Sequence, residues 1–166
     1  MKDSDPHKRA YSAALRFLTL KPRSESEVRN RLARNFPEDI VDSTLQTLRE
    51  EGRVDDALYA SLWSQSRASL HPRSGRLIKR ELSAKGIPPA IASQAIQNVD
   101  EADSAYRAGI KHAARLGHNV DLPTFQRKLW SYLQRRGFSD SLSRETTMRL
   151  WQESRLPGGP HDREGA

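Results

Sequence analysis

Apolar residues recur at helical spacing along most of the chain, and the pattern is interrupted at prolines and glycines. A first helix is predicted from about Lys8 to Thr19, because apolar positions share one face there and Pro22 forces a break. Ser24 and Glu27 form a capping-box pair, which predicts the start of a second helix. The apolar face of a third helix continues as far as Gly52. The N-terminal third of the chain therefore predicts three short helices.

The same order of elements recurs in the middle of the chain. Asp55 or Asp56 is expected to open a helix, since Asp is a favoured N-cap. Gly86 is expected to stop the next helix by adopting a left-handed conformation. The three predicted helices run from Ala57 to about Leu70, from Gly75 to about Lys85, and from Pro89 to about Val99.

Apolar core positions repeat at intervals of 50 or 51 residues. Three aligned sets show this period: Val28, Ile78 and Leu129; Phe36, Ile87 and Phe138; Ile40, Ile91 and Leu142. Equal spacing of core positions is typical of stacked helical modules that are each too small to bury their own apolar face. The period also differs from the 34-residue repeat of TPR proteins.

The pattern predicts an all-α fold of three tandem three-helix repeats that form an elongated, curved array. Each repeat would share its apolar face with its neighbours. The expected segments are a flexible N-terminus at 1–7, repeats at 8–54, 55–102 and 103–153, and a disordered tail at 154–166.

Composition and charge favour a soluble protein with a polyanionic partner. The formal net charge is +7, the pI is about 10.0 and the mean hydropathy is -0.80. Residues 8–56 carry a net charge of +1, residues 57–103 carry +2 and residues 104–152 carry +6. Contact with a polyanion is therefore expected mainly in the C-terminal repeat.

Several classes of protein are not favoured by the composition. The chain has no cysteine, which excludes disulfides and thiolate chemistry and fits a reducing cytoplasm. It has no apolar run long enough for a membrane span and no signal peptide at its polar N-terminus. Its five histidines lack metal-ligand or triad spacing, and no glycine-rich phosphate loop occurs. No catalytic residue, metal or cofactor is therefore predicted.

An ordered set of motifs across residues 10–151 resembles the RecX family, the regulators of the RecA recombinase. The central motif comprises Gly52, Val54, Asp55, Asp56, Tyr59, Ala60, Arg67, Gly75, Arg76, Glu81, Leu82, Gly86 and Ile87. The flanking motifs comprise Arg23, Ser24, Glu27 and Leu32 on one side, and Leu129, Leu133, Arg136, Gly137 and Phe138 on the other. One departure lies in the first repeat, where Asn35 and Phe36 replace the Gly-Ile pair and one residue fewer follows Leu32.

The resemblance implies a cytoplasmic, non-enzymatic helical protein with roles in homologous recombination, DNA repair and the SOS response. Such a protein binds in the groove of RecA filaments on DNA and inhibits the recombinase and its DNA-dependent ATPase. The implied partner is the RecA filament, with single- or double-stranded DNA as a further potential contact. The resemblance implies no cofactor, no small-molecule substrate and no membrane.

Two other functions remain open from the residues alone. Short basic helices joined by tight turns also resemble helix-turn-helix elements, so the chain could be a stand-alone basic DNA-binding protein. It could also be a repeat scaffold for an acidic protein. A simple DNA binder would act on bare DNA with a steep dependence on salt concentration, whereas a filament regulator depends on RecA.

Seven cationic residues are the candidate contacts with the filament or its DNA. Arginine suits phosphate and carboxylate groups because its planar fork donates two hydrogen bonds at once. The competing interpretation is a solvated helix face, or, for the two cations before Gly137, stabilisation of a helix C-terminus. The candidates are Arg76, Lys79, Arg80, Arg127, Lys128, Arg135 and Arg136.

Two further groups of residues are expected to be structural. Asp55 and Asp56 are interpreted as N-caps rather than metal ligands, because no partner ligands are evident. The three tryptophans, at 63, 130 and 151, are interpreted as packing residues rather than base-stacking residues, because they are widely spaced at helical positions.

Replacing Arg76 and Arg80 together with Ala is expected to weaken binding to the RecA filament without unfolding the protein, since both side chains are predicted to face away from the core. Co-sedimentation with filaments, with circular dichroism as the check on folding, measures this effect. Unchanged binding would remove both residues from the candidate contacts.

Overall fold

A computed structural model describes residues 5–117 and 119–156, and every regular element within these ranges is an α-helix. The helices follow one another in the predicted order of three sets of three, which confirms the all-α fold. They are α1 (Pro6–Leu20), α2 (Glu25–Leu32), α3 (Glu38–Glu50), α4 (Asp56–Ser69), α5 (Gly75–Ala84), α6 (Pro89–Ala95), α7 (Glu101–Leu116), α8 (Leu122–Arg135) and α9 (Asp140–Ser154).

Helix α1 begins two residues before its predicted start at Lys8. Asp5 Oδ1 accepts a hydrogen bond from the His7 backbone N–H at 3.1 Å, and Pro6 occupies the first turn, where its missing N–H has no cost. Pro6 and His7 are therefore helical, although they fall in the segment expected to be flexible. Ser154, the first residue of the expected disordered tail, is likewise helical, because it ends α9. Residues 1–4 of the N-terminal segment and residues 157–166 of the tail lie outside the described residues.

Helix α6 is shorter than predicted, because it ends at Ala95 and not near Val99. The backbone N–H of Val99 instead donates to the Ile96 carbonyl at 3.1 Å, which closes a turn. Asp100 follows directly and caps α7 by accepting from the Asp103 N–H at 2.9 Å. The cap of α7 at Asp100 therefore ends α6 earlier than its apolar pattern predicts.

The chain forms two compact units. Among the described residues, the first contains 5–63 together with Lys79–Ala95, and the second contains Ser64–Ile78 together with 96–117 and 119–156. Residues of α4 and α5 occur in both units. The three repeat boundaries stay a prediction.

The core of the first unit comes mainly from α1, α2 and α3. Its fully buried members are Ala14, Val28, Leu32, Val41, Leu45, Leu48 and Val54. The core of the second unit comes from α7, α8, α9 and the corner after α8. Its buried members are Ala105, Ala108, Ala113, Phe125, Leu129, Leu133, Phe138 and Leu150. Each core places aliphatic side chains at three- and four-residue spacing, as amphipathic helices require.

The predicted helix starts are confirmed at the Ser24–Glu27 capping box and at the Asp55–Asp56 pair. Ser24 and Glu27 form a complete capping box, in which each side chain accepts a hydrogen bond from the other residue's backbone N–H. Asp55 Oδ1 accepts from the Leu58 N–H at 2.9 Å and so caps α4. Asp56 Oδ1 accepts from the Glu25 N–H at 2.8 Å, at the first turn of α2. The two aspartates therefore satisfy the starts of two different helices.

In the first unit, the end of α5 packs against the start of α2. Ser24 Oγ donates to the Lys85 carbonyl at 2.5 Å. Gly86 follows with a φ of +75°, and a Cβ at this position would lie 2.3 Å from the Cβ of Ser26. Only glycine fits, because the position needs both a left-handed backbone and room for the neighbouring helix.

The same kind of junction occurs within the second unit, where the end of α8 packs against the start of α5. The Ser74 N–H donates to the Arg136 carbonyl at 3.0 Å. The Gly75 N–H donates to Glu101 Oε1 at 2.5 Å. Gly137 has a φ of +87°, and a Cβ there would lie 2.4 Å from Ser74 Oγ. Ser74 and Gly137 thus correspond to Ser24 and Gly86 of the first unit.

The corner after α2 closes without glycine, which explains the departure from the family motif. The Phe36 N–H donates to the Leu32 carbonyl at 3.0 Å, four residues back. The N–H groups of Ile87 and Phe138 reach five residues back, to Leu82 and Leu133. The shorter corner requires no left-handed residue, and no described non-glycine residue has a positive φ. Asn35 therefore fits where glycine stands in the longer corners.

Replacing Gly86 or Gly137 with Ala is expected to lower the free energy of unfolding by about 2–5 kcal/mol. About 1–2 kcal/mol comes from the left-handed backbone, and the rest from overpacking against Ser26 or Ser74. Urea denaturation followed by tryptophan fluorescence measures this loss.

The matched control is Gly52→Ala. Gly52 has a φ of +66°, but nothing lies within 4 Å of the added Cβ. This variant is expected to lose only the backbone contribution of about 1–2 kcal/mol. Equal losses in all three variants would show that the close approach of the helices at the junctions has no energetic effect.

Candidate functional site

A stacked pair of rings lies between α7 and α8 in the second unit. The ring centroids of His112 and Tyr132 are 4.1 Å apart, with only 5° between the ring planes. The guanidinium of Arg136 lies 5.1 Å from the centroid of the Tyr132 ring, which is within the distance range of a cation–π interaction. Both rings are half-buried.

The charges of four cations act on His112. Partial burial lowers the pKa of His112 below its ordinary value of 6.5, and the nearby positive charges lower it further. In order of effect, these charges belong to Arg115, Arg135, Arg136 and Lys128. A neutral imidazole at this place avoids adding a further charge to a region that is already positive.

The positive region continues onto residues between α4 and α5. Partial burial lowers the pKa of Arg73, and the charges of Arg67 and Arg136 lower it further. The charge of Arg136 therefore acts on both His112 and Arg73. We define the basic cluster of the second unit as Arg67, Arg73, Arg115, Lys128, Arg135 and Arg136.

Three of the seven predicted contact residues lie in the basic cluster, namely Lys128, Arg135 and Arg136. Arg135 and Lys128 are exposed, whereas Arg136 is half-buried beside Tyr132. The backbone of Arg136 also ends α8 and accepts the Ser74 N–H, so this residue combines a structural role with a surface charge.

The other four predicted contacts lie elsewhere. Arg76 is exposed, and its Nη2 donates to the Gly137 carbonyl at 3.3 Å, so its side chain spans the junction of the second unit. Arg127 is exposed and faces a groove of about 490 Å³ between α8 and α9, beside Trp130 and Met148. Lys79 and Arg80 are exposed on α5 and belong to the first unit.

Sequence reasoning missed Arg67, Arg73, Arg115 and His112. Arg67 belongs to the central family motif, so that motif could have identified it. Arg73 lies in a turn, and Arg115 lies in the last turn of a different helix. Nothing in the spacing of these residues indicates that they converge, because α7 and α8 are brought together only by the core of the second unit.

Each of the three tryptophans makes a contact within the fold, as the packing interpretation expects. Trp151 packs against the core of the second unit, with its ring centroid 5.1 Å from that of Phe125. Trp130 Nε1 donates to Asp140 Oδ1 at 2.8 Å, and Trp63 Nε1 donates to Glu81 Oε2 at 2.9 Å. All three rings are half-buried.

Over residues 5–117 and 119–156, no group of three or more histidine or carboxylate side chains is placed to hold a metal ion. No helix in these ranges is long and apolar enough to cross a membrane.

Two family models match the chain. The model described as the first three-helix domain of RecX matches residues 10–48, and the second three-helix domain of RecX matches residues 55–96. Regulatory protein RecX of Mycobacterium tuberculosis (strain ATCC 25618 / H37Rv) is 30% identical over 152 residues, which cover 87% of each chain. Regulatory protein RecX of Chlorobium limicola is 31% identical over 144 residues, which cover 86% of this chain and 90% of the relative.

Solved structures share the fold. The crystal structure of RecX from Lactobacillus salivarius superposes with a TM-score of 0.76 at 24% sequence identity, over 89% of this chain and 98% of that one. The fold is that of an all-α helical protein, and its second unit carries the basic cluster. The sequence similarity is specific, and the chain belongs to the RecX family of regulatory proteins.

Lowering the pH from about 7.5 to about 5.5 is expected to destabilise the folded protein through His112. The pKa of His112 is depressed in the folded state, so the unfolded chain binds the proton first and stability falls as the pH drops below about 6.5. Urea denaturation at each pH measures the loss.

The control is His112→Asn, which cannot titrate in this range. The difference in stability between wild type and this variant should shrink as the pH falls. A difference that is independent of pH would mean that His112 has an ordinary pKa and that the surrounding cations do not act on it.

Proposed function

We propose that this protein is a negative regulator of the RecA recombinase that binds in the groove of RecA–DNA filaments in the cytoplasm. It inhibits the recombinase and its DNA-dependent ATPase by occupying the groove, and it has no catalytic activity of its own. Membership of the RecX family supports this function, and the observation that carries it is the basic cluster of the second unit.

The cluster has the chemistry that a nucleoprotein filament requires. DNA carries a dense row of phosphates, and carboxylates on a protein surface offer the same charge. Arg135 and Lys128 are exposed and can approach either group. The core of the second unit holds α7 and α8 together, so the backbones that carry these cations are ordered before a ligand binds and only the exposed side chains remain to be ordered.

The proposal also includes the remaining four predicted contacts, whose surroundings in the structure differ. Arg127 is exposed beside the groove between α8 and α9. Lys79 and Arg80 add exposed charge on α5. Arg76 already donates to a carbonyl in the chain, so its replacement would disturb a helix junction as well as a contact surface.

A stand-alone DNA-binding protein is the second candidate function. The net charge of +7 and the basic cluster suit phosphate groups equally well. The two functions differ in their dependence on RecA. A filament regulator acts only where RecA is present, whereas a DNA-binding protein acts on bare DNA.

Titration of the protein into DNA-stimulated ATP hydrolysis by RecA of the same organism tests both functions at moderate salt. Inhibition is expected at concentrations that leave bare single-stranded DNA unbound. Lys128→Ala together with Arg135→Ala should raise the concentration for half-inhibition by about tenfold, because two convergent charges are lost.

The matched control is Arg144→Ala together with Arg149→Ala. It removes the same charge from α9, where both arginines are paired with carboxylates at 2.8 Å. Half-inhibition by this variant should stay close to wild type. Equal loss in both double variants would exclude the basic cluster as the contact, and tight binding to bare DNA without inhibition would favour the second function.

A further inference from the structure

A groove of about 920 Å³ lies in the first unit, between α1 and the corner that follows α2. Asp5 is the only carboxylate among the described residues that line it, and its Oδ1 already accepts the His7 N–H. Four exposed cations line the groove, and we call them the groove cations: Lys8, Arg9, Arg16 and Arg31.

Among the described residues of the first unit, some cations are paired with carboxylates, whereas the groove cations are not. In the part of the chain that the structure describes, no carboxylate forms an ion pair with any of the four. Elsewhere on the unit, carboxylates lie 3.7 Å from Arg23, 2.6 Å from Arg29 and 3.3 Å from Arg49. Like charges that face a shared concavity repel one another, so an anionic ligand would relieve the repulsion.

The floor of the groove is apolar and its edge is polar. Leu32 is only 1% exposed, and Phe36 packs against the core of the first unit. Ser12 and Asn35 add a hydroxyl and an amide that can bond to a peptide backbone. A ligand that fits therefore combines negative charges with at least one apolar group and its own hydrogen-bonding groups.

A nucleic acid strand fits this groove less well than a peptide. Proteins that bind single strands stack the bases on exposed aromatic rings. Phe17, near the groove, already has the guanidinium of Arg23 at 4.1 Å and that of Arg31 at 5.9 Å from its centroid. Phe36 is half-buried against the core of the first unit, which leaves only part of its ring for a base to stack on.

We propose that this groove binds an extended acidic peptide segment of another protein. Lys8 and Arg16 are about 12 Å apart along α1, because they are separated by eight residues with a rise of about 1.5 Å each. Alternate side chains of an extended peptide lie on one face about 6.5–7 Å apart. Two such steps span about 13–14 Å, so acidic residues four positions apart on one face of the peptide can meet Lys8 and Arg16, while the side chains of its other face point away from them.

The site is distinct from the basic cluster of the second unit and does not depend on the regulation of RecA. It needs only a partner with an exposed acidic and apolar segment. Because the ligand is recognised by its carboxylates and apolar side chains, a synthetic peptide is sufficient to test it.

Fluorescence anisotropy of a labelled peptide of alternating Glu and Leu, titrated with the full chain at moderate salt, tests the site. Saturable binding is expected. Replacing Arg16 and Arg31 with Ala should weaken it by at least about tenfold, since each removes a charge-assisted hydrogen bond to a carboxylate.

The matched control is Lys21→Ala together with Arg34→Ala. Both residues are exposed on the same unit, outside the groove, so the variant loses the same net charge. Its affinity should stay within about twofold of wild type. Equal weakening in the two double variants, or no binding by wild type, would overturn the proposal.

A charge-conserving variant separates binding from folding. Arg16→Lys together with Arg31→Lys should bind the peptide with intermediate affinity and melt like wild type. A loss of affinity as large as that of the alanine variant would overturn the proposal.

Other ligands of the groove are tested by competition. An oligodeoxythymidine of equal charge should compete poorly, and tighter binding of it through Arg16 and Arg31 would assign the groove to nucleic acid instead. Self-association that these two replacements abolish would assign it to a second copy of the chain.

Discussion

The close approach of one helix end to another helix start is the constraint on which both compact units depend. In the first unit the carbonyl of Lys85 meets Ser24, and in the second the carbonyl of Arg136 meets the Ser74 backbone N–H. Each contact satisfies polar groups that a helix end leaves without a partner, and each is possible only because glycine follows. Helices of 7–16 residues gain little stability alone, so their packing and their ends must supply it.

These junctions also connect the fold to the charged surface. Arg136 ends α8, contributes its carbonyl to the junction and carries its guanidinium over Tyr132 in the basic cluster. Arg76 donates to the Gly137 carbonyl from the other side of the same junction. The backbones that carry these residues are held in place by the core of the second unit.

Both units pair some of their cations with carboxylates and leave others clustered. The second unit gathers charge around His112, whose pKa is lowered because its surroundings are partly buried and already positive. The first unit neutralises Arg29 and Arg49 with carboxylates but leaves the groove cations without them. Each unit therefore carries its own group of cations.

The sequence by itself determined the all-α fold, the starts of α2 and α4, and the resemblance to the family. Capping residues such as Ser24 and Asp55, and glycines such as Gly86, act on the nearest turn of the backbone, so local sequence is enough to predict them. The end of α6 escaped prediction because the cap of the following helix competes with its apolar pattern. Only the tertiary structure decided which cations converge. Arg115 and Arg135 lie on different helices, and their charges act together on His112 because the core of the second unit brings α7 and α8 into contact, a long-range arrangement that no local spacing encodes.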